Sequence, residues 1–171
     1  AAHAALGNLP GRTAVEISLG GLILQCKAGA VTVAITGGDF VIDHAGKKSS
    51  SWDILTIQKG ERLTIRAGKA GSWAYLAFAG NLLAKDRLGS QATHSTSGFG
   101  GGALQTGQTL KVSDAGVRED RLGEVPKPGF APGGPIRVVT GPQDQHFSGD
   151  AVEQLLTDQF TVTDGYDRMG M

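Results

Sequence analysis

From residue 14 to residue 79 the chain is built of short apolar runs broken by glycine. The runs at 15–19, 22–24, 31–35, 40–42, 54–57 and 63–66 carry β-branched and other apolar residues in or near alternation. Such runs describe half-buried strands, and the glycines at 20–21, 29, 46 and 60 supply their turns. The run 73–79 (WAYLAFA) is apolar almost throughout. It therefore reads as an interior strand covered on both faces. Strand patterns recurring every eight to twelve residues between glycine turns belong to sandwiches and barrels. The start, AAHAALGN, reads differently, as the last turns of a helix whose beginning is missing, ended by Gly7.

Between 113 and 135 the pattern dissolves into charge, glycine and proline (VREDRLGEVPKPGFAPGGP), the composition of an exposed connection. Apolar alternation resumes at 136–140 (IRVVT), expected as a strand stopped by Gly141-Pro142. Ser148 then stands where a helix N-cap is needed, with Asp150 in the first turn and Val152, Leu155 and Leu156 on one face. A further strand is expected at 160–163 (FTVT). The expected organisation is thus a first β module at 1–112, a connection at 113–135 and the opening of a second module at 136–171.

Composition narrows the possible functions. The 171 residues hold 27 glycines and 6% aromatics, favouring tight turns over bulky packing anchors. Sixteen basic and sixteen acidic side chains cancel, with no basic stripe, so a nucleic-acid partner is not expected. No apolar stretch reaches the length of a bilayer span, so no membrane partner is expected. A single cysteine, Cys26, allows no intrachain disulfide and fits a cytoplasmic setting. The four histidines are scattered, and strand alternation puts His44 opposite Asp39 and Asp43, so no metal site is expected.

Candidate chemistry concentrates in two places. The first is LGSQATHSTSGFGGG, residues 88–102. GFGGG lacks the third glycine of a dinucleotide fingerprint, since Ala103 stands there, and it lacks the Lys-Ser/Thr of a P-loop. A tight glycine bend can instead turn backbone N–H groups toward a ligand. Arg87, beside Asp86, offers a guanidinium fork to a carboxylate. Ser90 has neither an elbow motif nor a base nearby in sequence, so it reads as a turn former. In the second place, Gln143 and Asp144 follow Gly141-Pro142, as turn residues or as groups that orient substrate or move a proton. Arg168 lies next to Asp167 near the C-terminal residue and offers a second guanidinium.

Four segments in order carry a resemblance: AVEISLGG at 14–21, AYLAFAGNL with RLGSQATHSTSGFGGGALQTGQTL within 74–110, RVVTGPQDQHF at 137–147, and DRMGM at 167–171. They resemble the carboxyltransferase subdomain A/B family, which includes the C subunit of bacterial 5-oxoprolinase, the KipA antagonist of a kinase inhibitor and the second subunit of allophanate hydrolase, also found within urea amidolyase. The resemblance implies a mainly β, cyclophilin-like barrel of two related modules, with the family's N-terminal and C-terminal motifs absent from these residues. Gly80-Asn81 stands where the family has a glycine pair, and Gln91 where it has arginine.

The function implied is a subunit of an ATP-dependent 5-oxoprolinase complex. The alternatives are an allophanate hydrolase or urea carboxylase type of carboxyltransferase subunit, and a KipA-like regulatory binder without turnover. In these terms Arg168, Asp144 and Gln143 are expected to act in catalysis. Arg87, Ser90, Thr93, Gly98, Gly100 and Gly101 are expected to bind a small amide or carboxylated substrate. No motif here holds a cofactor: ATP would be used by the complex, and biotin would come from a partner. The implied partners are a B-type, KipI-like subunit and an A-type, LamB/YcsF-like subunit.

Overall fold

The computed structural model of the chain describes residues 1–94, 97–100, 102–129, 134–161 and 163, and divides it into two compact units, 1–128 and 129–171. The first unit opens with a short helix α1 (Ala2–Ala5), ended through Leu6 by Gly7 at φ 70°. Seven of its strands fall on the expected apolar runs: β1 (Val15–Ile17), β2 (Leu22–Gln25), β3 (Ala30–Gly37), β4 (Val41–His44), β6 (Asp53–Gln58), β7 (Arg62–Arg66) and β8 (Ala74–Phe78). Four are not written in apolar pattern: β5 (Lys47–Ser50), β9 (Asn81–Leu82), β10 (Val112–Ser113) and β11 (Gly123–Glu124). Lys-Lys-Ser-Ser becomes β5 because the Ala45-Gly46 turn, with φ of 51° and 80°, folds it back in register on β4.

The strands form a five-stranded sheet in the order β1-β8-β3-β6-β11, a four-stranded sheet in the order β2-β7-β4-β5, and a β9-β10 ribbon. Every ladder is antiparallel. The protein is therefore mainly β, and among the described residues the ladders do not close into a ring.

Alternation decides the packing. Val33 and Ile35 of β3, Leu76 and Phe78 of β8 and Ile57 of β6 join Ile42, Leu63, Ile65 and Phe40 in one core cluster. The opposite face of the larger sheet gives Ala34, Ile54, Ala77 and Ala79, which pack with Leu6 and Ala2 of the N-terminal segment. Both faces of β3 and β8 are thus covered, which is why their sequences lose the polar half of the alternation. Thr32 lies buried on the α1 face. Its hydroxyl meets Thr56 Oγ1 at 2.7 Å and accepts the Arg118 N–H at 2.8 Å, so the buried hydroxyl is fully used.

The stretch expected as a connection at 113–135 begins inside the first unit. Gly116 N–H donates to Ala79 O, β11 pairs with β6, and Val125 N–H donates to Trp52 O. These are backbone bonds, made without an apolar pattern, so composition does not reveal them.

In the second unit α2 (Gly149–Thr157) is capped by Ser148, whose hydroxyl accepts the Ala151 N–H at 3.2 Å. The strand expected at 136–140 is not formed: these residues are exposed and without a ladder. An apolar run becomes a strand when a neighbour satisfies its backbone, and none does so among the described residues. Of the strand expected at 160–163, Val162 lies outside the described residues and the others are not in a ladder. No helix among the described residues is long and apolar enough to cross a membrane.

Candidate functional site

Residues 83–111 leave the larger sheet's end through β9 and return through β10, and Leu83 N–H donating to Lys111 O closes the neck of this excursion. The neck needs glycine at position 80. Gly80 has φ 144°, and a Cβ there would sit 2.8 Å from Ser113 O. Its carbonyl accepts from the Arg12 guanidinium at 3.0 Å, which locks the N-terminal segment to the strand end.

Three tight turns shape the excursion, one of them at 105–108 and the other two among the residues singled out from sequence. In the first, Arg87 and Ser90 exchange both backbone hydrogen bonds, at 2.8 and 3.0 Å, across Leu88 and Gly89. Leu88 at φ 54° and Gly89 at φ 75° carry the two positive φ values of a type I′ turn. A fully exposed leucine in this conformation is a strained choice. Asp86 accepts the Gly89 N–H at 3.0 Å, and Ser90 Oγ accepts the Ala92 N–H at 3.1 Å. Asp86 thus works on the turn, and among the described residues the Arg87 guanidinium has no ion partner.

In the second turn His94 and Phe99 form a bridge, and Ser97 N–H donates to His94 Nδ1 at 3.3 Å. That bond leaves the imidazole proton of neutral His94 on the exposed Nε2. Gly98 and Gly100 take φ of 69° and 93°, and a Cβ on Gly100 would meet Ala92 O at 2.5 Å. Glycine is required there, and the N–H groups of Gly98 and Gly100 have no acceptor among the described residues. Gln91 anchors the whole excursion to the body by accepting from the Thr13 hydroxyl.

Of the residues singled out from sequence, Arg87, Ser90, Thr93, Gly98 and Gly100 therefore share one loop of the first unit, and all but Gly100 are exposed. Gly101 and Arg168 lie outside the described residues. Gln143 and Asp144 belong to the second unit, where a single 3-10 turn (Asp144–His146) holds them, and both are exposed. Sequence reasoning missed His94, Thr13 and Arg12 as parts of this framework, because their partners lie on turns or far along the chain. Gly-rich punctuation after His94 was the available sign.

Other candidate groups are spent elsewhere. His44 Nε2 meets Glu61 Oε2 at 2.8 Å, and Glu61 also accepts the Gln58 N–H. The Gln58 N–H and then His44 hold the Glu61 carboxyl below the usual carboxylate range. Cys26 Sγ donates to Ala28 O within its own turn. Three or more metal-ligating side chains do not gather anywhere among the described residues.

Two antiparallel sheets with a glycine-bent loop at the end of an interior strand define a mainly β protein. The chain belongs to the carboxyltransferase domain, subdomain A and B family, whose model matches residues 1–171. It is 24% identical to the C subunit of 5-oxoprolinase from Haemophilus influenzae over 96% of this chain and 53% of that protein. It is 25% identical to the C subunit of 5-oxoprolinase from Escherichia coli over 99% of this chain and 54% of that protein. Urea amidolyase of Lachancea kluyveri matches at 24% identity over 99% of this chain and 10% of that protein.

The chain thus spans about half the length of the two 5-oxoprolinase relatives it matches. Among solved structures, TTHA0988 superposes with a TM-score of 0.73 at 27% identity, covering 89% of this chain and 56% of that one. The Kluyveromyces lactis urea amidolyase superposes at 0.70 with 22% identity, covering 98% of this chain and 11% of that one, a likeness of fold.

Proposed function

We propose that the chain is part of a C-type subunit of an ATP-dependent 5-oxoprolinase complex, which opens 5-oxoproline to glutamate. The observation that carries this reading is the 83–111 loop, where, among the described residues, the Arg87 guanidinium has no ion partner and the Gly98 and Gly100 N–H groups have no acceptor. A five-membered lactam bearing a carboxylate asks for such a set. Arg87 clamps the carboxylate, and the Gly98 and Gly100 amides, with Gly101, receive the carbonyl oxygen as charge develops on it. Ser90 and Thr93 supply hydroxyls to the ring N–H.

Substrate orientation and proton transfer by Gln143, Asp144 and Arg168 are a separate part of this reading, supported by the family resemblance of their motifs alone. The sequence has no phosphate-binding motif, so ATP is assigned to other subunits of the complex, the B-type and A-type partners. The cytoplasm is the compartment that this reading requires.

The test is glutamate release from 5-oxoproline by the full-length protein with its candidate A and B partners, each omitted in turn. Turnover is expected to vanish when this protein is left out. Arg87→Ala should raise KM for 5-oxoproline about tenfold or more, as loss of a charge-assisted clamp does. Turnover indifferent to the protein's absence overturns the reading. The match to urea amidolyase supports a second one, a carboxyltransferase subunit receiving its carboxyl group from a partner's biotin. Transfer from carboxybiotin to urea, with no glutamate release, would favour that reading.

A further inference from the structure

The N-terminal segment reaches the strand end and the 83–111 excursion through three side chains. Asn8 Nδ2 donates to Phe78 O, at the last residue of β8, at 2.8 Å. The Arg12 guanidinium donates to Gly80 O at 3.0 Å, and the Thr13 hydroxyl donates to Gln91 inside the excursion. In sequence these contacts straddle the neck, where Leu83 N–H donates to Lys111 O. The seating of residues 8–13 and the seating of the excursion therefore belong to one hydrogen-bond network.

His3 sets the first of these contacts. Phe78 O can only accept, so the amide nitrogen of Asn8 must face it, and that nitrogen also meets His3 Nδ1 at 3.0 Å. Nδ1 is therefore an acceptor, and the one proton of the neutral ring lies on Nε2, which is buried and without a partner. A second proton has only Nδ1 to occupy. There it faces the Asn8 amide nitrogen, donor against donor, and Asn8 can serve the imidazolium only by turning its oxygen to the ring and giving up Phe78 O. Nε2–H has no acceptor in either state, so nothing offsets that loss.

The surroundings of His3 offer the imidazolium no counter-charge. The charged groups facing it are the Arg12 guanidinium and the Ala1 ammonium, both cations. Strands β3 and β8, on which α1 packs, present Ala34 and Ala77 to the helix, and Arg121 adds a further cation where it donates to Ala5 O. Burial, with the two nearer cations adding to it, keeps the ring neutral to a lower pH than a free imidazole.

We infer that residues 1–13 form a pH-sensitive latch on the excursion: protonation of His3 withdraws Asn8 from Phe78 O, and the neck at Leu83 and Lys111 loosens. The latch is closed above about pH 6.5 and opens as the pH falls below that value, since the neutral ring is the form that fits. It holds whichever reaction the excursion serves, and so goes beyond the proposed function and is tested without a substrate.

The experiment is amide hydrogen exchange on the 171-residue chain at about pH 7.5 and about pH 5.5, with rates corrected for the intrinsic effect of pH. Protection of the Leu83 N–H should fall about tenfold at the lower pH, while the amides of the β4–β7 ladder in the other sheet keep theirs. His3→Asn supplies an oxygen that accepts from Asn8 and does not titrate, and in this variant Leu83 should be protected equally at both pH values. Asn8→Ala should show the reduced protection of Leu83 already at the higher pH. Protection of Leu83 that ignores pH, an equal loss in the β4–β7 ladder, or a His3→Asn chain that responds as the parent does would overturn the proposal.

Discussion

Leu88 and His3 each sit where their side chains are not the comfortable choice. Leu88 occupies the first left-handed position of a type I′ turn with its side chain in solvent, so packing returns nothing for the strain. Leu88→Asn installs the Asn-Gly pair that such turns favour. It should raise stability by about 1 kcal/mol, read from urea midpoints. His3 is set differently. Its Nδ1 meets the Asn8 amide at 3.0 Å, while its Nε2 is buried without a partner.

Burial holds the His3 imidazole below its ordinary pKa. The folded state therefore takes up a proton less readily than the unfolded chain. Stability should be greatest above about pH 6.5 and fall as the pH drops below that value toward the lowered folded pKa. In His3→Gln that part of the pH dependence should disappear from urea melts between pH 7.5 and 5.5. A slope unchanged by the substitution would assign it to other groups.

Helix α1 is one turn long and could not persist in isolation. It is held because Leu6, fully buried, reaches the Ala34 and Ala77 face of the larger sheet. Leu6→Ala should cost about 2–5 kcal/mol, the range for a truncated core leucine, and a urea melt measures it directly. A smaller loss would mean that the helix contributes little to holding that face.

The same contrast governs legibility among the strands. β3, β6 and β8 were visible because each must bury apolar side chains, and burial leaves a period in the sequence. β5 and β11 were not, because they are held by backbone hydrogen bonds to β4 and β6. Any residue type supplies those bonds, so no side-chain pattern announces them. The apolar run at 136–140 misled for the complementary reason: it has the pattern of a strand without a ladder neighbour.

The two core clusters, including Val125 packed on the second, lie within the first unit, and the second unit has no fully buried residue among those described. A fragment of residues 1–128 should therefore unfold cooperatively, with a urea midpoint close to that of the whole chain. A fragment without a cooperative transition would show that residues 129–171 contribute to the core after all. The residues singled out from sequence divide along the same line. Arg87, Ser90, Thr93, Gly98 and Gly100 are carried by the first unit, and Gln143 and Asp144 by the second.

Apolar periodicity and glycine spacing were enough to establish a mainly β protein and its principal strands, because burial and turn geometry constrain residue types locally, while the tie to carboxyltransferase domains came from the resemblance of four segments to that family. Folding was needed to show that Asp86 serves its turn, so that Arg87 has no ion partner among the described residues, that Gln91 ties the loop to Thr13, and that Trp52, Glu124 and Lys127 line one groove. Those relations join residues through backbone bonds and distant contacts. Such contacts leave no period along the chain, so they became legible when the sheets brought their partners together.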